Sequence, residues 1–291
     1  STGGTLLLVQ VVSLATDYSG GWAPAPMENQ EEIDEEISSA TTYLKSLATS
    51  PELAGIEIKA KVLFGLPVQQ LLTGIATPGI DLIVLCSHGR TGFMRWVLGS
   101  VAHALVHQCT VPILVLRQDE TSSSFVPLDT AGPIHTLVPL DGSPLAEAAL
   151  RPAAHLTAAL AATGQGTLHL SQVVKIFSNT AEEESGSPLN EEALHHARTY
   201  LALEEERLSS EARDLRLSLT YSVESASDVA SALLRQAEHE MSEGENTSYD
   251  LIALSTHGRE GLERWVMGSV TDRLLNTTKL PMLIVRPPKE G

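Results

Sequence analysis

Two short stretches carry residue types that can do chemistry together. Ser255-Thr256-His257-Gly258-Arg259 follows a continuous apolar run, and Gly268-Ser269-Val270 begins ten residues after Gly258, at the start of a helix-forming segment. Gly258 admits backbone angles closed to other residues and lets a ligand approach the main chain. The first amides of a helix have no acceptor inside it and face the positive end of its dipole, so those of Gly268, Ser269 and Val270 suit an anion. The Ser269 hydroxyl adds a donor, and Arg259 adds a charge-assisted contact. The chemistry implied is the holding of one or more phosphates. The same set stands 169 positions earlier as Gly89, Arg90, Gly99, Ser100 and Val101.

That recurrence belongs to a longer repeat. Residues 81–117 and 250–286 are identical at 18 of 37 positions, against about two expected from background residue frequencies. A weaker match, Thr5–Val12 with Thr167–Val174, has an offset of 162, so the second copy carries a net insertion of seven residues. The chain therefore reads as two copies of one domain, at 1–120 and 135–291, joined by a Ser-, Thr-, Pro- and Gly-rich linker at 121–134.

In the second copy, a short apolar run at 136–141 and strands at 168–174, 215–223 (alternating), 250–254 (continuously apolar) and 282–285 alternate with helical patterns at 146–160, 191–209, 228–239 and from Ser269. Ser143 is placed to cap the first helix, with Pro144 at its first position. Continuous apolar strands between helices predict an α/β fold with a mostly parallel, doubly wound five-stranded sheet flanked by helices. Ligands of such sheets lie outside the carboxyl ends of the strands, where Ser255–Arg259 falls.

Composition narrows the partners. Nineteen Lys and Arg against 36 Asp and Glu give a net charge of −17, which disfavours a nucleic-acid or anionic-membrane surface. Aromatic residues at 4% leave little for base stacking. No apolar run reaches the ~18–20 residues that span a bilayer. Two cysteines, Cys86 and Cys109, make no disulfide framework and fit a reducing, cytoplasmic setting. The first residues, Ser1–Thr5, lack the basic region of a signal peptide.

The motifs resemble those of the universal stress protein family, whose nucleotide-binding members carry Gly-x-x-Gly, nine residues, then Gly-Ser or Gly-Thr. Gly89 or Gly258 is the second glycine here, and Gly99-Ser100 or Gly268-Ser269 the closing pair. Val138-Pro139-Leu140-Asp141 matches the family's first-strand ending, and Val173, with Val11 in the first copy, matches the position whose main chain meets adenine. The resemblance implies two tandem domains of the adenine nucleotide alpha-hydrolase-like fold, packed as a pseudo-dimer through their last strands, with homodimers an option. It implies binding of ATP, ADP or AMP, with or without Mg²⁺, as a stress-response module or switch, and at most slow hydrolysis. Phosphates would rest on Gly258, Gly268, Ser269 and Val270, the ribose near Asp141 and Ser255, and adenine against Val173.

Three departures qualify that expectation. The first motif glycine is Cys86 in one copy and Ser255 in the other, which puts a Cβ beside the expected ribose. Gly-x-Pro survives as Gly65-Leu66-Pro67 but not around Glu224-Ser225-Ala226. The first copy has only three residues before Gly4, where the second has about 32 between Ile134 and Gly166, so its first strand and helix are missing. In the family that strand is central, and its loss would unpair backbone groups at about 1–3 kcal/mol each. Residues upstream of Ser1 are accordingly expected, and an extended chain should be the more stable one.

Plainer readings compete for several residues. His88 and His257 have no Cys, Asp or Glu at ligand spacing, so no metal centre is expected. Asp141 also suits turn chemistry in Asp-Gly-Ser. Trp96 and Trp265 read as core or interface anchors, Arg95 and Arg264 as holding a loop, and His195-His196 as a solvated face. No P-loop, no nucleophile with its base, and neither Ser-Gly-Gly-x-Asp nor His-x-Gly-His occurs. A scaffold of the same family that binds no nucleotide is the alternative.

Overall fold

The computed structural model describes residues 3–13, 30–75, 79–87, 98–117, 132–161, 165–176, 188–238, 249–256 and 267–287. They fall into two compact units, Ser1–Gly79 and Ile80–Gly291.

In the first unit, β1 (Thr5–Val12) pairs in parallel with β2 (Glu57–Phe64) from Thr5↔Glu57 to Val12↔Phe64. The crossover helix α1 (Gln30–Ala48) buries Ala40 and Leu44. A 3₁₀ turn at Pro51–Leu53 leads into β2. Gly65, with φ of +126°, donates its amide to Val12 O at 3.0 Å and starts α2 (Pro67–Ile75). Few other residues accept that φ, and Pro67 suits a first helical position, which is why Gly65-Leu66-Pro67 ends the strand there.

The second unit contains one seven-stranded sheet in the order β3-β4-β9-β8-β5-β6-β7. Its strands are β3 (Ile83–Cys86), β4 (Ile113–Leu116), β5 (Ile134–Pro139), β6 (Gly166–Lys175), β7 (Leu217–Ala226), β8 (Leu251–Ser255) and β9 (Met282–Val285). Its helices are α3 (Ser100–Gln108), α4 (Pro144–Glu147), α5 (Leu150–Leu160), α6 (Pro188–Asp214), α7 (Val229–Glu238) and α8 (Ser269–Thr277). The second repeat forms a complete five-stranded parallel sheet, β9-β8-β5-β6-β7. Val138, Leu168, Leu170, Leu251, Ala253 and Leu283 make its core, buried under Ala153, Ala154 and Leu201. Continuous apolar strands and small or branched helix residues give this packing directly. Gly166 is demanded by contact, because a Cβ there would stand 2.6 Å from Leu217 Cδ2 and 2.9 Å from Thr157 Cγ2.

The first repeat is divided. β5 sits between β8 and β6. β1-β2 forms a sheet of its own, and β3-β4 belongs to the other sheet through antiparallel pairing of β4 with β9. Repeat boundaries and compact units therefore differ, with Gly79–Ile80 inside the first copy. Val84 is 55% exposed, whereas its repeat counterpart Ala253, flanked by β5, is fully buried.

Element edges also shift. The single helix expected over 146–160 is split into α4 and α5 by a turn at Ala148-Ala149, and the acidic helix runs to 27 residues as α6. No described helix is long and apolar enough to cross a membrane.

Candidate functional site

The carboxyl ends of β8, β5 and β6 lie side by side, at the point where strand order turns from β5-β6 to β5-β8. That arrangement is the switch point of a doubly wound sheet. It brings together Ser255 at the end of β8, Pro139, Leu140 and Asp141 at the end of β5, and Val173 near the end of β6.

Thr256 and Gly268 fix the approach of α8 to this edge. Thr256 N–H donates to Val285 O at 2.9 Å, and Gly268 N–H donates to Thr256 O at 2.9 Å. Thr271 Oγ1 donates to Ser255 O at 2.9 Å. The first repeat reproduces the two backbone links, from Ser87 N–H to Leu116 O at 3.0 Å and from Gly99 N–H to Ser87 O at 2.8 Å. Its counterpart of Thr271 is Ala102, so the third link exists in the second copy alone.

These bonds correct one expectation from the sequence. The amides of Gly268 and Gly99 are committed to the strand ends and are not open to an anion. The first intrahelical bonds run from Asp272 N–H to Gly268 O and from His103 N–H to Gly99 O. The amides ahead of the ladder are thus Ser269, Val270 and Thr271 in α8, and Ser100, Val101 and Ala102 in α3. Neither helix has a side-chain cap at its N-terminus.

Gly268 has φ −58° and ψ 140°, angles open to any residue, and among the described residues its Cβ would meet only ordinary contacts, Thr256 O at 3.5 Å and Thr271 Oγ1 at 3.9 Å. Neither backbone angle nor these neighbours requires glycine there. Gly99 differs, because a Cβ would press to 3.2 Å from Ser87 O.

Asp141 holds the turn after β5. Its Oδ1 accepts from Ser143 N–H at 3.0 Å and from Ser143 Oγ at 2.6 Å, across Gly142 at φ +81°. Ser143 Oγ in turn accepts from Ala146 N–H at 3.2 Å and caps α4, with Pro144 at its first position. Both the cap and the turn chemistry were legible in Asp-Gly-Ser-Pro.

Helix α8 is also anchored from the side. Asp228 caps α7 through Ser231 N–H at 2.8 Å and pairs with Arg273 of α8, whose Nη2 donates to Ser231 Oγ at 2.8 Å. Glu238 Oε1 accepts from Thr278 Oγ1 at 3.0 Å and Lys279 N–H at 2.9 Å, just past the end of α8. Val11 lies in β1, in the other compact unit. His257, Gly258 and Arg259, with Gly89 and Arg90 and the two tryptophans Trp96 and Trp265, lie outside the described residues.

Two features escaped the sequence reading. Arg117 and Arg286, equivalent across the repeat, act reciprocally. Arg117 Nη2 donates to Leu275 O at the end of α8, and Arg286 Nη1 donates to His107 O at the end of α3, at 2.8 Å. Each helix whose N-terminus faces its strand edge is therefore held at its C-terminus by the arginine of the other repeat, where a cation also meets the negative end of the dipole. Arg117 is 7% exposed, and burial lowers its pKa to about 10.

The second feature is a polar cluster on β6, β7 and α7. His169 Nδ1 and Nε2 each lie 2.8 Å from a hydroxyl, of Thr220 and Ser222, while Gln236 joins Ser222 at 3.0 Å and Ser171 at 2.7 Å. Burial lowers the pKa of His169. The unfolded chain then binds more protons below an ordinary histidine pKa of ~6.5, so stability falls as pH drops through that value and the loss saturates at the lower folded pKa. Unfolding measured between neutral and mildly acid pH should show a shallower loss in His169→Asn than in the natural sequence. Identical slopes would remove His169 from the account.

Repeat, doubly wound sheet and strand-edge helix N-termini together define a tandem α/β protein. Comparison with known proteins gives the class a name. Residues 1–117 and 135–286 match the model of the universal stress protein family, and the chain belongs to that family. A universal stress protein of Mycobacterium tuberculosis strain H37Rv is 22% identical over 269 residues, covering 91% of this chain and 82% of that protein. One from Methanocaldococcus jannaschii is 30% identical over 95 residues, 32% of this chain and 56% of that protein. The crystal structure of a universal stress protein from Archaeoglobus fulgidus superposes with a TM-score of 0.65 at 19% identity, covering 97% of this chain and 88% of that one. At that identity the likeness concerns the fold.

Proposed function

We propose that the second repeat binds an adenine nucleotide, ATP or a close relative, and that the protein serves as a nucleotide-responsive module of the cytoplasm rather than as a dedicated enzyme. The observation that carries this reading is the start of α8. The amides of Ser269 and Val270 stand ahead of the helical ladder, at the switch point of the sheet, beside a glycine that neither its backbone angles nor its described neighbours require. Family membership adds to it.

In this reading phosphates take the Ser269 and Val270 amides and the Ser269 hydroxyl, with Gly258 and Arg259 completing the loop. The ribose lies near Asp141 and Ser255, and adenine lies against the main chain of Val173, with Pro139 and Leu140 shaping the floor. Mg²⁺ would arrive with the nucleotide. A net charge of −17 does not oppose this, because the donors are local and mostly main chain. The antiparallel β4–β9 pairing and the reciprocal arginines support a pseudo-dimeric arrangement of the last strands. Further pairing into a homodimer belongs to the same proposal.

Titration calorimetry with ATP and Mg²⁺ tests the reading. Saturable binding, with a rise in melting temperature, is expected. Absence of both at millimolar nucleotide would favour the scaffold that binds no nucleotide. Hydrolysis, assayed separately, is expected to be slow or absent.

A further inference from the structure

Helix α3 carries His103 and His107 one turn apart. Four residues separate them, so their side chains leave the same face. The His103 ring is exposed and that of His107 is partly buried, and their Nε2 atoms share a hydrogen bond at 3.2 Å, while His107 also has a further partner. The ring centroids are 4.3 Å apart, with planes tilted by 40°. The nitrogens are thus closer than the rings, and the two imidazoles lean together at their Nε2 ends.

A metal ion that displaces the shared proton would find the two nitrogens already at ligand spacing. Two nitrogens each ~2.0–2.1 Å from one ion stand about 2.9 Å apart at a right angle and about 3.3–3.4 Å apart at the tetrahedral angle. The observed 3.2 Å lies between. Imidazole nitrogens suit zinc, nickel and copper and not the hard cations calcium or magnesium.

The helix turn that bears them is held in place, since His107 O accepts from Arg286 Nη1 at 2.8 Å and Cys109 N–H donates to Leu105 O at 2.8 Å. The pair is peculiar to the first repeat. Its counterparts are Asp272 and Asn276, whose side chains meet at 3.2 Å but offer no imidazole. Whatever the shared fold requires of α8, it does not require this.

We propose that His103 and His107 form a two-imidazole chelating site for a borderline divalent cation, Zn²⁺, Ni²⁺ or Cu²⁺, on the face of α3. The two side chains supply two cis positions and water supplies the rest. No described group of three or more His, Cys, Asp or Glu side chains is placed to hold a metal, so among the described residues the affinity rests on the chelate. Tethering both donors to one rigid turn makes capture by the second imidazole intramolecular, which is worth a factor of about 10² or more. The proposal is independent of nucleotide binding.

The test is calorimetric titration of the untagged, metal-free full chain with Zn²⁺, together with Cu²⁺ electron paramagnetic resonance. One equivalent should bind with micromolar affinity, and the resonance should report two equatorial imidazole nitrogens. His103→Asn and His107→Asn should each weaken binding about a hundredfold and leave one nitrogen. His195→Asn/His196→Asn should change neither. Melting of the metal-free variants checks that they fold, and His103, exposed, tolerates replacement. Should the double variant His103→Asn/His107→Asn titrate like the natural chain, or the natural chain bind no tighter than millimolar, the proposal is overturned.

Discussion

Replacing Leu283 by alanine is expected to destabilise the unit Ile80–Gly291 by about 2–5 kcal/mol, the usual cost of a buried leucine cut back to a methyl group. Leu283 is 1% exposed. It faces Leu114 across the antiparallel β4–β9 pair and Ala253 across the parallel β9–β8 pair. Both leucines belong to the main core, so its side chain contributes to the junction of the repeats and to the core of the second one. Leu114→Ala and Leu283→Ala should not be additive. A cross-strand pair in contact couples by about 0.5–3 kcal/mol in a double-mutant cycle, where distant sites agree within about 0.5. Denaturant unfolding of the four sequences gives the number. Leu7 of β1, 40% exposed, provides the control, and its alanine variant should cost far less. Additive effects would mean that β4 and β9 do not share a ladder in solution.

The second large effect is functional. Gly268→Val should leave the fold intact and abolish nucleotide binding. Valine accepts φ −58° and ψ 140°, and its Cβ meets Thr256 O at an unstrained 3.5 Å. The branched side chain would stand beside the Ser269 and Val270 amides, which in the proposed site hold phosphate. Charge-assisted hydrogen bonds are worth about 1.5–3 kcal/mol each, so losing two weakens binding a hundredfold or more. Gly99→Val supplies the contrast, because its Cβ stands 3.2 Å from Ser87 O and the substitution should destabilise the fold by itself. Calorimetry and melting of the three proteins separate these outcomes. Undiminished ATP binding by a folded Gly268→Val chain would move the site elsewhere.

Much of this was legible in the residues. Apolar runs placed β8 and β9, because a strand buried on both faces has no polar alternative. Ser143-Pro144 announced the start of α4, and the repeat located both strand-edge helices. The fate of the first copy was not legible. Whether β3-β4 would stay with β1-β2 or join β9 is a question of sheet edges, on which local pattern is silent. The Gly268 amide was assigned to a ligand because helix starts leave donors open in general, and only the geometry of Thr256 reveals that this one is taken. Arg117 and Arg286 were not legible, since their acceptors are carbonyls more than 150 positions away. His103 and His107 carry a local signal, two histidines four apart in a helix-forming segment.

Amide hydrogen exchange of the full chain, with and without ATP and Mg²⁺, tests the central claim most directly. Slowed exchange at Ser269, Val270 and Thr271 and at the carboxyl end of β6 around Val173 is predicted, with the far end of α6 unchanged. Exchange unaltered everywhere at saturating nucleotide, or protection confined to segments away from the β8–α8 edge, would contradict it.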